Sequence, residues 1–480
     1  MSENLDIYDV IIIGAGLSGL CAAKHIREKC KNVSIKLLEQ SEAAGGLLDG
    51  FKSRWITSQN FHATELCREL GVTLVELGQT VSSQQDGTRH VTPFKGFVFG
   101  RLAKIESDRL MAEIDALCSS RFVIEDPMNM NAFLERKLLM EVSKEFFRFL
   151  IKISCGFYPE ELTVTDWQKF CRSLSSMRNA YEMLAYSETH LVPVGGWSEL
   201  VTKLVETVGV ENIAFSHKIT RLKSTEEDIV LVSDEKGHSL RARTVICAVS
   251  CNDLVQIHFV PSSERFKVPS MNANITHVTN FRIQYQSCLW RNHGFSGSIF
   301  LPPYRIICFE RNDKTLEGSF FHTANLSYHE TRCAILSILS LKMRCRTLLY
   351  PLNFESVRQD LPFHFEVPPT FARRIIFSSS NASCWFRGYI NGSVQAGIKA
   401  AVLVLLEVRP QAVRYKDVTD MQCLHFKYFP QRTSFEQFWY SVNLSSVGRL
   451  VAAIGTIAAS FLMVLGLARN LSGLDAIESE

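Results

Sequence analysis

A glycine-rich turn near the N-terminus carries the residues with the clearest chemical meaning. Gly14, Gly16 and Gly19 have the spacing G-x-G-x-x-G and directly follow an apolar run at residues 10–13. In such a turn the first glycine makes the bend, the second lets a pyrophosphate approach the backbone, and the third lets the next helix pack on the strand. Free N–H groups and the helix dipole then hold the phosphates. The turn therefore predicts dinucleotide binding. The residues predicted to contact the dinucleotide here are Gly14, Ala15, Gly16, Leu17, Ser18 and Gly19.

The elements around this turn agree with that interpretation. The four β-branched residues 10–13 predict a strand that is buried on both faces, as in a parallel sheet. A helix is predicted at 20–29 and a second strand at 33–38. Glu39 ends that strand, where its carboxylate can accept hydrogen bonds from ribose hydroxyls. A glycine turn with a purely structural role is the alternative.

Gly45 and Gly46 indicate which dinucleotide is bound. They follow Glu39 too soon for an ordinary second helix. The stretch 9–46 resembles the N-terminal FAD fingerprint of the flavin amine oxidases, in which a Gly-Gly turn follows the ribose-binding glutamate. The resemblance implies FAD as cofactor and places Leu47 where that family usually has a flavin-contacting arginine. A nicotinamide-binding Rossmann domain that carries a Gly-Gly pair is the alternative.

Composition limits the class of protein. The 480 residues are 46% hydrophobic and 21% charged, which allows a full globular core and excludes wholesale disorder. A formal charge of +3 gives no argument for a nucleic-acid partner. The 14 cysteines form no CxxC pair, so they predict a reducing compartment and no metal site. Residues 1–7 have neither a signal-peptide nor a transit-peptide pattern.

The order of patterns predicts a mixed α/β fold. It consists of a Rossmann-like FAD-binding domain, an inserted α+β substrate domain and a C-terminal transmembrane helix. The FAD-binding domain is predicted at 1–90, 191–256 and 371–410, and the substrate domain at 91–190 and 257–370. A linker at 411–448 leads to a membrane anchor at 449–469.

Several local patterns support this order. Helices are predicted at 58–71, ending at Gly71, across 102–188 and at 200–208. Within 102–188, the cluster Phe146, Phe147 and Phe149 predicts core packing rather than substrate contact. Strands are predicted at 92–97, 214–222, 244–249 and 374–377, and a hairpin at 229–233 and 239–242. Ile219 falls where the resembled family contacts the adenine side of FAD.

A second motif lies near the end of the predicted globular part. Residues 383–397 resemble the C-terminal flavin motif of monoamine oxidases, in which an aromatic-Gly-Tyr precedes a helix directed at the flavin. The resemblance implies that the start of this helix faces the pyrimidine end of the flavin, where negative charge accumulates on reduction. It also implies a catalytic role for Tyr389 as one wall of an aromatic cage. A coil followed by an apolar core helix at 393–406 is the alternative. The residues implied to contact FAD are Gly388, Tyr389, Ser393 and Val394.

The chain departs from the resembled family at other site positions. The family's lysine near flavin N5 is best matched by Gln286, which becomes the second candidate catalytic residue. The acidic residue at the start of the final motif appears as Asn381. The family's flavin-linking cysteine lies some tens of residues before the Gly-Tyr pair, and residues 346–383 contain no cysteine. We therefore expect FAD to be bound non-covalently.

A long uncharged segment lies close to the C-terminus. Residues 450–468 carry no charge and lie between Arg449 and Arg469. At ~1.5 Å per residue this segment spans about 28 Å, close to the ~30 Å hydrocarbon core of a bilayer. It predicts a single-pass tail anchor rather than a buried core helix. The basic residues before it and the acidic residues after it indicate a cytosolic main body. The resemblance to monoamine oxidase implies the mitochondrial outer membrane.

The sequence thus supports two hypotheses about function. The first is an FAD-dependent oxidase that converts a small amine to an imine and reduces O2 to hydrogen peroxide at a membrane surface. Under this hypothesis the protein binds no nucleic acid, and a homodimer is its expected assembly. The second is a catalytically impaired or cofactor-free relative that is tethered to the membrane and acts through protein partners.

Overall fold

The computed structural model describes residues 7–48, 55–77, 101–119, 126–184, 190–260, 277–323, 325–360, 370–372 and 374–421. Two large sheets, a two-stranded sheet and a group of helices organise these residues. The predicted strand at 92–97 and the predicted anchor at 449–469 lie outside the described residues.

The elements follow one another from a βαβ unit at the N-terminus to a long helix near residue 400. The helices are α1 (Leu17–Lys29), α2 (Phe61–Glu69), α3 (Arg101–Ser119), α4 (Met130–Lys137), α5 (Glu141–Cys155), α6 (Val164–Ser173), α7 (Met177–Leu184), α8 (Trp197–Val208), α9 (Cys251–Leu254), α10 (Tyr328–Lys342), α11 (Ile390–Val408) and α12 (Tyr415–Met421). The strands are β1 (Ile7–Ile13), β2 (Ile35–Leu38), β3 (Leu74–Glu76), β4 (Leu191–Pro193), β5 (Ile213–Ala214), β6 (Ile219–Ser224), β7 (Val230–Asp234), β8 (Ser239–Cys247), β9 (His258–Val260), β10 (His277–Gln284), β11 (Ile299–Leu301), β12 (Ile306–Asn312), β13 (Thr315–His322), β14 (Asn353–Asp360), β15 (Thr370–Ala372) and β16 (Ile375–Phe377).

The larger sheet has a parallel centre. Its order within the described residues is β5-β2-β1-β8-β7-β6-β9, with β16 also paired to β8 and β15 paired to β16. Strands β1, β2, β5, β8 and β16 are parallel to their neighbours in this centre, whereas β7 is antiparallel to both β6 and β8. Residues 10–13 of β1 are buried on both faces, as the apolar run predicted.

The smaller sheet is antiparallel and faces the helices α3 to α7. Its order is β11-β12-β13-β10-β14. The phenylalanines of α5 are buried there in one apolar cluster together with Phe300 and Phe321 of this sheet. The predicted core role of Phe146, Phe147 and Phe149 is therefore confirmed.

Three predicted strands have different limits in the structure. The predicted strand 214–222 is divided into β5, which pairs with β2, and β6, which pairs with β7 and β9. The second hairpin strand and the predicted strand 244–249 are one continuous strand, β8. The reason is that β8 pairs with β7 through its first half and with β16 through its second half.

Helices α1 and α11 pack against each other at unusually short range. A Cβ atom built on Gly397 of α11 would lie 2.5 Å from the carbonyl oxygen of Ser18 in α1. In the same region, a Cβ on Gly19 would lie 2.0 Å from the carbonyl oxygen of Gly14. Both contacts are with backbone atoms, which cannot move aside. Only glycine permits these two approaches, and they bring the start of α1 close to β1 and α11.

The apolar character of α11 comes from its place in the core. Within the described residues, α11 is the one helix whose length and composition suit a membrane span. However, 61% of its apolar stretch is buried inside the protein. Its buried residues Ala400, Ala401 and Val404 belong to the same apolar cluster as α1 and α2. Burial in the protein core therefore accounts for its apolar sequence.

The α1–α11 contact gives a testable prediction. Replacing Gly397 with alanine forces the two helices apart, and we expect a loss of about 1–3 kcal/mol in the free energy of unfolding. The measurement is denaturant unfolding of the cofactor-free protein. The matched control is Gly16→Ala, because a Cβ at Gly16 meets no atom within 4 Å and its φ of −72° suits alanine. Equal stability of Gly397→Ala and the wild type would contradict the proposed close contact.

Candidate functional site

One large cavity lies between the two sheets. Its volume is about 630 Å³, within the range of pockets for small molecules and cofactors. The turn after β1 lines one part of it, and Tyr389 with residues of the smaller sheet lines another. Both sequence motifs thus contribute to the same cavity.

The turn after β1 has the geometry of a phosphate-binding loop. Gly14 has a φ of +100°, in the left-handed region that favours glycine, and a Cβ added there would lie 2.7 Å from the carbonyl oxygen of Ala248. Gly16 is the N-cap residue of α1, and Leu17 and Ser18 line the cavity beside it. The free N–H groups at the start of a helix attract anions. This end of the cavity therefore suits phosphate groups.

Gly16 provides a direct test of whether a ligand fits. Its backbone is in an ordinary conformation, and an added Cβ would meet no atom of the described residues within 4 Å. Neither the local backbone nor the described part of the protein therefore requires glycine at this position. The space over Gly16 opens into the cavity, so a pyrophosphate can approach the backbone there.

Glu39 connects the first turn to the second one. Its Oε2 accepts a hydrogen bond from the backbone N–H of Ala15 at 2.7 Å, and its Oε1 accepts one from Ser41 at 2.9 Å. Gly45 donates its N–H to the carbonyl of Ala15 at 2.9 Å. These bonds hold the carboxylate at the cavity wall, where a ribose can reach it. Glu39 and Gly45 both line the cavity, as does Gly46.

The start of α11 forms another part of the wall. Gly388, Tyr389 and Ser393 line the cavity there. Gly388 has a φ of +85°, and Tyr389 is the N-cap residue of α11. Burial raises the pKa of Tyr389, so its phenol stays protonated at physiological pH. The ring thus presents an uncharged surface beside the positive end of the helix dipole.

Trp55 adds an aromatic wall that sequence analysis missed. Its indole Nε1 donates to the carbonyl oxygen of Met183 at 3.0 Å, and its ring stacks on His190 with centroids 5.2 Å apart. Burial lowers the pKa of His190 to about 4, so the imidazole is neutral at physiological pH. This neighbour therefore adds no charge next to Trp55.

The smaller sheet contributes a polar pair that sequence analysis also missed. Asn280 on β10 and Ser319 on β13 are register partners, and both line the cavity. The hydroxyl of Ser319 donates to Oδ1 of Asn280. This bond fixes the orientation of the amide, because the oxygen accepts and the nitrogen must then face elsewhere.

Two buried amide nitrogens have no hydrogen-bond acceptor among the residues that the structure describes. Asn280 is 3% exposed and Asn60 is fully buried, yet Nδ2 of each lacks a partner within that part of the chain. Both residues line the cavity. A buried donor left unpaired costs roughly 1–3 kcal/mol. A ligand with acceptor atoms would remove this cost, so both asparagines fit a polar cofactor or substrate.

The structure brings most of the predicted site residues together. Those that line the cavity are Gly14, Gly16, Leu17, Ser18, Glu39, Gly45, Gly46, Leu47, Ile219, Gly388, Tyr389 and Ser393. Ala15, Gly19 and Val394 lie behind the wall, where they support it. Asn381, the counterpart of the family's acidic residue, also lines the cavity.

The assignment of Gln286 to the reaction centre is corrected. Gln286 lies two residues beyond the end of β10, is exposed, and does not line the cavity. Val278 and Asn280 are the β10 residues that line the cavity, and both lie well before the strand ends at Gln284. Gln286 lies beyond that end, so Asn280 rather than Gln286 is at this wall.

Comparison with known proteins identifies the family. The family model described as "Flavin containing amine oxidoreductase" matches residues 17–339. The chain belongs to this family. It is therefore an oxidoreductase, and FAD is its cofactor.

Individual relatives cover nearly the whole chain. Amine oxidase [flavin-containing] A of Equus caballus is 22% identical over 507 residues, 94% of each chain. Amine oxidase [flavin-containing] of Oncorhynchus mykiss is 20% identical and covers 97% of this chain and 98% of its own. The structure of cyclohexylamine oxidase from Brevibacterium oxydans IH-35A matches with a TM-score of 0.67 at 19% identity, over 84% of this chain and 100% of that one. A putrescine oxidase structure bound to putrescine has a TM-score of 0.65 at 19% identity. These structures establish the mixed α/β fold of FAD-dependent amine oxidases.

The residues present fit FAD in this flavin amine oxidoreductase. The open space over Gly16 admits the pyrophosphate, and Glu39 suits the ribose. The unpaired amides of Asn60 and Asn280 suit acceptor atoms of a bound molecule. When bound, FAD would supply the capacity to take up a hydride equivalent.

Gly16 gives the first prediction about the site. Gly16→Val should reduce the FAD content of the purified protein at least about tenfold, because a branched side chain would occupy the pyrophosphate space. The thermal stability of the cofactor-free protein should stay near that of the wild type, since the Cβ meets no described atom within 4 Å and the branch extends into the cavity. Absorbance of released flavin and thermal unfolding measure the two effects. Full FAD occupancy in the variant would show that the turn does not bind the cofactor.

The asparagine–serine pair gives a second prediction. The double variant Asn280→Leu with Ser319→Ala removes both hydrogen-bonding partners together with the unpaired amide nitrogen. The free energy of unfolding of the cofactor-free protein should therefore equal that of the wild type or exceed it by about 1 kcal/mol. The gain in melting temperature on adding FAD should become smaller.

The control for this pair is Asn353→Leu, an exposed position on the neighbouring strand β14. This substitution should alter neither the free energy of unfolding nor the gain in melting temperature on adding FAD. If the double variant loses stability but keeps its full response to FAD, the pair serves only to hold β10 and β13 together.

Proposed function

We propose that this protein oxidises a small amine to an imine with FAD and passes the electrons to O2, which gives hydrogen peroxide. The imine then hydrolyses to an aldehyde. One observation carries the proposal: a nucleotide-binding turn and an uncharged, largely apolar wall belong to the same cavity. Such a cavity suits a bound dinucleotide with a substrate held beside its reactive end.

The apolar wall of the cavity favours binding of an uncharged substrate. The residues that form it are Ile153, Met183, Leu184, Val278, Ile307 and Phe321. Among the described residues, the charged groups that line the cavity are Glu39, Lys218 and Asp253, with His217 beside them, and all belong to the region around the larger sheet. Burying an ammonium group without a partner is costly. The reacting species is therefore the neutral amine, whose lone pair is free.

The protein's own contribution is orientation and exclusion of water. Asn280 Nδ2 is a donor at the apolar wall, and Tyr389 presents its ring at the start of α11. The first-turn N–H groups of α11 favour negative charge at that place. Hydride acceptance comes from the flavin, so the reaction requires little acid–base help from side chains.

A cofactor-binding relative with impaired catalysis is the second candidate. The observation that favours it is the side-chain composition of the wall: Leu47 stands in place of the family's usual arginine, and no described lysine other than Lys218 lines the cavity. Such a protein would still bind FAD but would act through partners.

Membrane attachment also belongs to the proposal. The uncharged segment 450–468, bounded by Arg449 and Arg469, supports a tail anchor with a cytosolic body, and the outer mitochondrial membrane is the proposed location. Homodimer formation and the domain limits given above remain predictions from the sequence.

The test is amine-dependent release of hydrogen peroxide from full-length, FAD-loaded protein in detergent. A panel of amines with apolar bodies should give peroxide at a rate that increases with pH as the amine loses its proton. A protein that holds stoichiometric FAD and releases no peroxide with any amine would support the impaired relative instead.

The linkage to the flavin can be checked separately. We expect acid precipitation to leave all of the flavin in the supernatant, because none of the described free cysteines lines the cavity. Absorbance of the two fractions is the measurement. Flavin retained in the pellet would identify a covalent bond, and Cys384, which is exposed near the C-terminal motif, would be the first thiol to replace.

Tyr389 gives the last prediction about the reaction. Tyr389→Ala should lower turnover far more than it lowers FAD content, because it removes the ring beside the substrate. Tyr389→Phe keeps the ring and should have a mild effect. Peroxide release and FAD occupancy are measured on the same preparations. Removing a buried aromatic ring lowers the free energy of unfolding by about 3–5 kcal/mol. If turnover and FAD content of Tyr389→Ala fall together, this loss of stability is the cause and Tyr389 only supports the fold.

A further inference from the structure

Two histidines and an aspartate meet at the turn between β7 and β8. Asp234 ends β7, His238 comes just before β8, and His217 lies before β6. Nδ1 of His217 and Nδ1 of His238 each lie 3.0 Å from the same atom, Oδ2 of Asp234. The three ligand atoms lie within 4.8 Å of one another. Residues from two separate places in the chain, the segment before β6 and the β7–β8 turn, thus converge on one point.

The aspartate is held firmly by the turn. Its side chain is 2% exposed, and Oδ1 accepts the backbone N–H groups of Lys236 at 2.9 Å and of His238 at 2.8 Å. These bonds satisfy one oxygen and direct the other at the two imidazoles. The carboxylate is therefore preorganised before anything binds to it.

The two imidazoles are accessible from solvent. The side chain of His217 is 35% exposed and that of His238 is 68% exposed. An ion can reach the point between them, and the exposed ring of His238 is free to adjust its position. A water molecule can complete the coordination from the solvent side.

The set of donors identifies the class of ion. Two imidazole nitrogens and one carboxylate oxygen are ligands that Zn²⁺ prefers, at about 2.0–2.2 Å. Ligand atoms at these distances in a tetrahedral site lie roughly 3.3–3.5 Å from each other. The two 3.0 Å separations from Asp234 require a small outward shift, and the two histidine nitrogens, which lie within 4.8 Å of each other, require a movement that the exposed ring of His238 allows. We propose that His217, Asp234 and His238 form a Zn²⁺-binding site on the surface of this protein.

The location connects this site to the cofactor cavity. His217 lines the cavity, and its backbone N–H donates to the carbonyl of Glu39 at 2.8 Å. An ion bound to His217 and His238 would link the segment before β6 to the β7–β8 turn. It would therefore fix the wall of the cavity near the ribose-binding carboxylate.

The experiment uses full-length protein in detergent after removal of metals with a chelator. Zinc chloride is titrated in competition with a chromophoric chelator, and cobalt chloride is added separately to record the visible absorption band of tetrahedral Co²⁺. We expect the wild type to bind about one more ion per chain than His238→Ala binds. The affinity of the wild type at this site should exceed that of the variant at least about tenfold. The Co²⁺ band should be absent from the variant.

Two variants keep the test interpretable. His329→Ala removes an exposed histidine far along the chain, on α10, and should bind zinc as the wild type does. Because His238→Ala also loses the hydrogen bond between its ring and Asp234, each protein is compared with its own metal-free melting temperature. Zinc should raise the melting temperature of the wild type and leave that of His238→Ala unchanged. Equal zinc binding by the wild type and His238→Ala would place the ion on exposed thiols and overturn the proposal.

Discussion

The close approach of α1 to its neighbours is the constraint on which the site depends. The carbonyl of Gly14 lies where a Cβ of residue 19 would be, and the carbonyl of Ser18 lies where a Cβ of residue 397 would be. These approaches place the start of α1 and the start of α11 at the same cavity. A side chain at either position would separate them and would widen the distance between the phosphate-binding turn and Tyr389. The two motifs, which are more than 350 residues apart in sequence, form one site because two glycines lack side chains.

The cavity differs in character along its length. Its nucleotide end is rich in backbone donors and has a fixed carboxylate, whereas its other end has an apolar surface with a few amides. This difference follows from the two sheets. The parallel sheet exposes turns and helix starts at the carboxyl ends of its strands, whereas the antiparallel sheet presents alternate side chains of one face. Each sheet thus supplies the part of the site that its geometry favours.

The sequence predicted features that local spacing determines. The turn at Gly14 to Gly19 depends on glycines within a few residues of one another, and the buried phenylalanines of α5 follow helical periodicity. Features set by pairing between distant strands could not be predicted in this way. Gln286 was assigned to the site by resemblance alone, whereas the position of Asn280 at the wall follows from the pairing of β10 with β13 and β14. The division of 214–222 into β5 and β6 depends on two different partner strands. The convergence of His217, Asp234 and His238 depends on the same pairing, and no spacing in the sequence indicated it.

The unpaired amides of Asn60 and Asn280 also have a consequence for the amount of protein in a cell. Without a ligand, each buried donor lowers the stability of the folded chain, whereas a bound cofactor adds stability in proportion to the logarithm of its concentration. Newly made chains that lack FAD would therefore populate unfolded states more often and would be degraded more readily by proteases. The steady-state level of this protein would then follow the supply of flavin, so that chains unable to carry out redox chemistry would be removed.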